Sequence, residues 1–486
     1  MNDSDSSSSS QSDVPAKEIA IIGAGISGLA TAYRLIELSQ EKSQPVKLTL
    51  FDAAERIGGA FGTEQIGDYR IERGADSFVT NKPWGVRLCE RLGIQDELIS
   101  TNSEFRRSLI LRRGKPIETP AGFQLLGPAE LWPMIKSPLL SLPAKLRVAQ
   151  EVLVRRKASN EDESLASFVR RRFGQELLDN IVQPMVGGIY TSDPERLSLQ
   201  ATLPRFLELE ARYGSVIRGL RKQKQDSGPA SGARYGLFVT PANGMQHLLN
   251  TLLEKVEEKA TVELGTKVSE VRPDGGRIRI EFEESPPRTF DAVVMALPAY
   301  LSASILESAS PELSSSLSEI DYASSAIVVS GHQLDDIEHP LDAFGLVIPH
   351  RERRRILAVS FLSRKFPDRA PDGRVVLRTF VGGAMQPGEV EFSDDQIMDT
   401  VQIELKSILG VRGRPDFMKI VRYNRAMPQY EVGHLQRVER IRSQVDELQG
   451  IALAGNAFIG VGIPDCIKSG EEAAEKVWAD SFQPQQ

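Results

Sequence analysis

The sequence predicts an α/β fold built on a Rossmann-like nucleotide-binding domain that three separated stretches of chain assemble. Three observations predict it. An apolar run (Ile19, Ala20, Ile21, Ile22) leads into Gly23, Gly25 and Gly28 in G-x-G-x-x-G spacing, with helical periodicity after it. Residues 232–298 bring back strand and helix patterning of the same kind, ending on the apolar run 291–297. The chain then closes on an apolar strand, Gly455-Asn456, a glycine-rich loop and a helix that starts at about Pro464.

The opening stretch carries most of the argument. A strand covered on both faces of a parallel sheet has continuous apolar sequence. Glycines at this spacing allow a tight turn, close approach of backbone to a pyrophosphate, and close packing of helix on strand. Ile26, Leu29, Ala30, Tyr33 and Leu35 then share one side of a helix. Its start offers unpaired N–H groups and the positive end of its dipole to a diphosphate. Asp52 ends the next apolar run (Val46, Leu48, Leu50, Phe51), about 20 residues further on, where a carboxylate binds a ribose hydroxyl. With strand, helix and acid in place, dinucleotide binding outweighs a purely structural glycine turn.

Length and composition bound the rest. A chain of 486 residues exceeds one compact core and divides into two or three domains. With 41% apolar and 26% charged residues it reads as an ordinary soluble globular protein, and a net charge of −7 argues against general nucleic-acid binding. Two cysteines, Cys89 and Cys466, are too few for a disulfide framework and lack neighbouring ligands, so both read as packing residues and no metal site is expected. No apolar run reaches the roughly 18 residues of a membrane span. Residues 1–16 are polar and acidic, without the features of a signal or transit peptide, and read as a disordered tail. A cytoplasmic protein is expected.

Residues 17–86 form the first nucleotide-binding piece. Between 87 and 231 the character changes to helical. Pro128, Pro133, Pro138 and Pro143 punctuate an apolar stretch over 125–146, which predicts short helices joined by tight bends. Lys136, Lys145, Arg147, Arg155, Arg156 and Lys157 place positive charge beside it. Two readings follow: a patch dipping into an anionic membrane leaflet, or a helical subdomain packed on its neighbours. Residues 161–174 read as a solvated helix capped by Ser164, and 222–232 as a flexible loop. Residues 232–298 supply the second nucleotide-binding piece and 441–486 the third. Between them, 299–440 alternate strand and helix and predict an α+β substrate domain, a mostly antiparallel sheet with helices on one face. Arg351, Arg353, Arg354 and Arg355 read there as a solvated turn. Near the closing helix, Pro464 followed by Asp465, Glu471 and Glu472 fits a helix N-terminus.

After Asp52 comes Ala53-Ala54-Glu55-Arg56-Ile57-Gly58-Gly59, which resembles the second signature of the FAD-dependent amine oxidase and desaturase superfamily. The resemblance implies FAD rather than NAD. It implies that Arg56, Gly58 and Gly59 wrap the diphosphate together with Gly23, Gly25, Ile26, Ser27 and Gly28, and that Asp52 and Ala53 belong to the same site. Residues 69–78 resemble the family stretch close to the flavin, here Gly74, Ala75, Asp76 and Ser77, although a strand ending in a turn would read alike. The family places the backbone of a valine at the position of Val268 against adenine. Gly455, Asn456, Val461, Gly462 and Ile463 correspond to the loop and helix start at the flavin pyrimidine edge.

Three further runs resemble signatures of the protoporphyrinogen oxidases: Q-P-M-V-G-G-I-Y over 183–190 with D-P-E-R-L-S over 193–198, F-P-D-R-A-P over 366–371, and L-A-G-N over 453–456 with G-V-G-I-P-D-C-I-K-S-G over 460–470. That resemblance implies oxidation of a porphyrinogen to a porphyrin: six electrons in three two-electron steps, oxygen as acceptor, hydrogen peroxide as by-product, in haem biosynthesis. Protoporphyrinogen IX is the substrate first expected, with coproporphyrinogen III as the alternative. An amine oxidase or carotenoid desaturase on the same scaffold also stays open. By the resemblance Gly188 is the active-site glycine, Val347, Leu357 and Phe380 sandwich the macrocycle, and Arg107 anchors a propionate. A surface arginine would read the same as Arg107. Peripheral contact with the cytoplasmic membrane follows from the family's helical domain, and a homodimer is compatible with it.

Overall fold

The computed structural model describes residues 16–159, 161–226 and 238–482. Nearly all of the expected tail, and residues 227–232 of the expected loop, lie outside them. Lys222 to Asp226 instead complete a helix, Val216–Asp226.

Five parallel strands form the central sheet, in the order Ala260–Glu263, Val46–Phe51, Lys17–Ile22, Ala292–Met295, Ile451–Leu453. Three distant stretches of chain thus meet in one sheet, as the patterning predicts. Successive side chains of a strand point to opposite faces. Ile19, Ile21, Leu48, Leu50, Ala292 and Val294 pack with the opening helix Ile26–Lys42, the helix Met245–Glu257 and the closing helix Ile463–Phe482. Ala20, Ile22, Phe51, Val293 and Met295 pack on the other side, against the strands Val268–Asp274 and Arg277–Phe282 and the helices Pro311–Ser318 and His434–Asp446. Both faces being covered is why the strand sequences are apolar without alternation.

A second sheet has seven strands: Phe417–Pro428, Tyr322–Gln333, Arg374–Gly382, Ala358–Phe361, Gly345–Val347, Leu109–Arg112 and Lys115–Glu118. Its neighbours are antiparallel except Gly345–Val347 beside Leu109–Arg112. The helix Asp394–Leu409, started by a Ser393/Gln396 capping box, covers one face through Val401, Leu405 and Ile408 against Leu346, Val359 and Leu377. The run 351–355 is less solvated than its charge suggests. Arg354 donates to Glu404 at 3.1 Å, Arg355 to Glu389 at 2.8 Å and Arg351 to Asn180 at 2.7 Å.

The helical region surrounds a core of Phe168, Phe173, Ile181, Phe206 and Ile217. Ser164 caps the helix Leu165–Phe173 by accepting from Ser167 N at 3.1 Å. This helix is not a solvated one: it buries Leu165, Phe168, Val169, Phe173 and even Arg172. The Arg172 guanidinium meets Glu151, whose carboxylate also accepts from Ser215 Oγ at 2.5 Å and Val216 N at 2.9 Å. Helical pitch widens to a π turn over Leu178–Val182 before the helix Gln183–Tyr190, a distortion that recurs at functional sites. Among the described residues no helix is long and apolar enough to cross a membrane.

A candidate cofactor and substrate site

In an open parallel sheet, ligands bind beyond the carboxyl ends of the strands. Here the loops after four strands converge at that edge. Gly23 N donates to Phe51 O at 2.7 Å, Ala296 N to Ile22 O at 2.8 Å, and Ala454 N to Met295 O at 2.9 Å. A Cβ at Gly28 would collide with the Gly23 carbonyl, so this glycine lets helix and strand close on one another. Gly25 differs. A Cβ there would meet nothing within 4 Å, and no side chain caps the helix it starts. The helix thus starts with room beside Gly25 and no capping side chain, which leaves its first-turn N–H groups, those of Ile26, Ser27 and Gly28, for a diphosphate.

The second loop folds over the first. Gly58 N donates to Ala24 O at 2.9 Å, and a Cβ at Gly59 would lie 3.6 Å from Gly25 Cα. Arg56 donates to Ile57 O at 3.0 Å and Gly59 O at 2.7 Å, fixing the turn while its remaining N–H groups stay exposed. The Asp52 carboxylate accepts from Ala24 N at 2.6 Å and Ala54 N at 2.8 Å. Its backbone carbonyl takes Thr266 N at 2.8 Å, two residues before Val268. A register shift at Val268/Glu270 turns the backbone there.

The closing helix packs along the opening one, with Ser27 Oγ donating to Cys466 O at 2.9 Å and Thr31 Oγ1 to Gly470 O at 2.9 Å. Two helix N-termini thereby meet at one place. Gly455 sits at φ +133° and donates to Ser469 Oγ at 3.0 Å. Val461, Gly462 and Ile463 follow, with Asp465 folded back over them and paired with Lys82 at 2.7 Å. Burial pushes the Cys466 thiol, like that of Cys89, up to about 12, consistent with packing roles.

Gly74 lies so close to Ala60 that a side chain would collide with its carbonyl. From there Ala75, Asp76 and Ser77 run across to the seven-stranded sheet. Arg378 donates to Gly74 O and to Asp76 at 3.0 Å, and Lys365 to Asp76 at 2.7 Å. Burial alone would raise the Asp76 carboxyl, but Lys365 and Arg378 hold it well below its usual range. Sequence reasoning missed this pair of cations, because Lys365 and Arg378 lie far from Asp76 along the chain. Nearby Glu72, buried, is pushed up to about 7.

Phe380 lies two residues from Arg378, whose guanidinium sits 5.4 Å from its ring centre. Leu357 N donates to Phe380 O at 2.8 Å, and Val347 pairs with Ala358, itself paired with Phe380. Gly188, exposed near the end of its helix, would hold a Cβ 3.6 Å from Val347 Cγ1. Val347, Leu357, Phe380 and Gly188 are thus brought together.

Arg107 is not. It donates to Asp342 O at 2.5 Å and pairs with the Asp342 carboxylate at 3.2 Å. On the strand Leu109–Arg112, Leu109 and Leu111 belong to the core under the helix Asp394–Leu409, whereas Ile110, the register partner of Val347, joins the helical core. Alternation puts Arg112 on the Ile110 side. Its side chain is 15% exposed, with a loose 3.9 Å approach to Glu176.

Comparison with known proteins agrees with this geometry. The flavin-containing amine oxidoreductase family matches residues 26–478. The coproporphyrinogen III oxidase of Bacillus subtilis is 33% identical over 463 residues, 94% of this chain and 97% of its own. Protoporphyrinogen oxidase 2 of Arabidopsis thaliana is 28% identical over 496 residues, 96% of this chain and 94% of its own. A crystal structure from Exiguobacterium sp. 255-15 superposes with a TM-score of 0.85 at 29% identity, covering 95% of this chain and 99% of that one. With the glycine loops open where a diphosphate fits, this chain belongs to the flavin-containing amine oxidoreductases and is an FAD-dependent oxidoreductase.

Proposed function

We propose that this enzyme oxidises a porphyrinogen to its porphyrin with oxygen as acceptor, and that coproporphyrinogen III is its preferred substrate. The observation that carries the proposal is the meeting of Gly188 with Val347, Leu357 and Phe380 beside the cofactor loops. Apolar side chains on neighbouring strands suit the faces of a large macrocycle. Gly188 belongs to the last turn of the helix Gln183–Tyr190, at the negative end of its dipole. The Gly188 carbonyl is suited to accept from a pyrrole N–H and hold the ring in place. Bound FAD supplies the hydride acceptor, and the residues supply position and exclude water. Support for this preference over the protoporphyrinogen IX first expected from sequence is that three relatives, 29–33% identical over 94–96% of this chain, are named coproporphyrinogen III oxidases.

Coproporphyrinogen has four carboxylates and protoporphyrinogen two. Arg112, on the Ile110 side of its strand, retains guanidinium N–H groups for one of them. Porphyrin fluorescence should appear faster from coproporphyrinogen III than from protoporphyrinogen IX. Arg112→Ala should raise KM for the former roughly tenfold or more, as loss of a charge-assisted hydrogen bond does. Arg107→Ala should leave both KM values near wild type. No fluorescence from either substrate would overturn the function, and an unchanged KM in Arg112→Ala would overturn the anchor.

Peripheral membrane contact belongs to the same proposal. Its support is a group of exposed apolar side chains, Trp132 at 64%, Leu142 at 79%, Leu146 at 62% and Leu153 at 77% exposure. Lys136 lies 5.0 Å from the Trp132 ring centre, and Arg155 and Arg156 are exposed nearby in sequence. Exposed apolar anchors on a stretch that also carries cations suit an anionic surface. The protein should sediment with phosphatidylserine vesicles and be released by salt and detergent together. The double variant Leu142→Asp/Leu153→Asp should stay in the supernatant; sedimentation equal to wild type would refute the contact.

A further inference from the structure

The segment between the strand Phe417–Pro428 and the helix His434–Asp446 makes a connection that no function has yet been given. Tyr430 is buried, and its hydroxyl donates to Asn456 O at 2.5 Å. His434, fully buried four residues later, contacts Phe458 O through Nε2 at 3.2 Å. The two rings stack with centroids 4.0 Å apart and planes 13° from parallel. Phe458 O is an acceptor, so Nε2 carries the proton. Nδ1 is buried with no partner. Burial lowers the His434 pKa to about 4, so the ring stays neutral and keeps that tautomer through the neutral range.

The two carbonyls belong to the loop that leaves the strand Ile451–Leu453 and delivers the closing helix. The other side of the segment is tied to the helical region. Ser198 N donates to Tyr430 O at 2.7 Å, Val432 N to Arg196 O at 2.9 Å, and Gly433 N to Asp162 at 3.2 Å. Asp162 also accepts from Ser198 Oγ at 2.6 Å. Packing alone would not require two donors aimed at alternate carbonyls of one cofactor loop.

We propose that Tyr430 and His434 are positioning residues: a stacked pair that holds the Asn456–Phe458 loop, and through it the start of the closing helix, at the FAD, referenced to the helical region. The inference rests on the cofactor site described above and not on the identity of the substrate. Fixing two carbonyls fixes the direction of the N–H groups that follow them, and so the field the isoalloxazine meets. An unsatisfied buried carbonyl would let the loop turn toward water instead.

The test uses three variants of the holoenzyme. Tyr430→Phe removes one hydroxyl, His434→Leu removes a donor, and His434→Gln offers an amide N–H to Phe458 O in the same region. Tyr430→Phe and His434→Leu should each weaken FAD binding roughly five- to tenfold, the range of one lost hydrogen bond. They should also shift the flavin reduction potential and its visible absorption bands. His434→Gln should stay near wild type in all three. Circular dichroism of the same samples checks folding, and none of these readouts needs a porphyrinogen. Lower thermal stability in Tyr430→Phe and His434→Leu, with wild-type FAD affinity, spectrum and potential, would make the pair merely structural and overturn the proposal. His434→Gln behaving like His434→Leu would equally overturn the role of the donated hydrogen bond.

Discussion

Gly25→Val should give a folded protein that retains no FAD. Gly25 sits at φ −74° and ψ 177°, a conformation open to any residue, and a Cβ there meets no protein atom within 4 Å. The polypeptide thus tolerates the valine, while the diphosphate it would displace has nowhere else to reach the helix N–H groups. We expect affinity for FAD to fall by at least roughly a thousandfold, about 4 kcal/mol. Flavin absorbance per polypeptide after gel filtration, beside a far-ultraviolet circular dichroism spectrum, checks both halves. Gly28→Val supplies the contrast, since its side chain would strike the Gly23 carbonyl and should cost folding as well. Stoichiometric flavin in Gly25→Val would mean that the diphosphate lies elsewhere.

The second large effect is expected in the helical region. Glu151 and Arg172 are both fully buried, and Glu151 also satisfies the start of the helix Val216–Asp226 through Ser215 and Val216. Glu210 approaches Arg172 at 3.2 Å but already serves Arg171 at 2.6 Å. Removing Glu151 therefore leaves an under-compensated buried cation and orphaned N–H groups. Breaking a buried pair by deleting one partner costs about 3–5 kcal/mol. Glu151→Ala should show an early unfolding step in urea, followed by proteolysis within 130–220. Glu151→Gln, which keeps the acceptors and loses the charge, should lie between that variant and wild type. Coincident wild-type and Glu151→Ala unfolding curves would show that the network contributes little.

What the sequence disclosed follows from physics. Gly23, Gly25 and Gly28 are legible because spacing along one turn is also spacing in space. The central strands are legible because burial on both faces writes an unbroken apolar run. Strand Phe417–Pro428 escaped notice because it edges its sheet, and its FMKIVRYNRAMP sequence mixes charge with apolar residues. Which arginine of the stretch 106–113 faces the apolar site was not legible, because a shift of one residue along a strand moves a side chain to the opposite face. Only the pairing of Ile110 with Val347 fixes that face, and it lies more than two hundred residues along the chain. The Tyr430–His434 pair was invisible for a similar reason: each ring alone is an ordinary buried aromatic, and its meaning lies in two distant carbonyls.

The central sheet also sets an order of events during synthesis. Lys17–Ile22 is made early, yet its second neighbour is Ala292–Met295, and that strand waits in turn for Ile451–Leu453. At about 5–20 residues per second, roughly tens of seconds separate the first strand from the last. Through that interval the growing chain carries an apolar strand with one edge unpaired, a surface that other chains could join. The loop at 455–463 is among the last parts to be made, so the cofactor site is complete only when synthesis is nearly over. A chain truncated before residue 451 has both N-terminal glycine loops but lacks the closing helix whose start packs on the first of them.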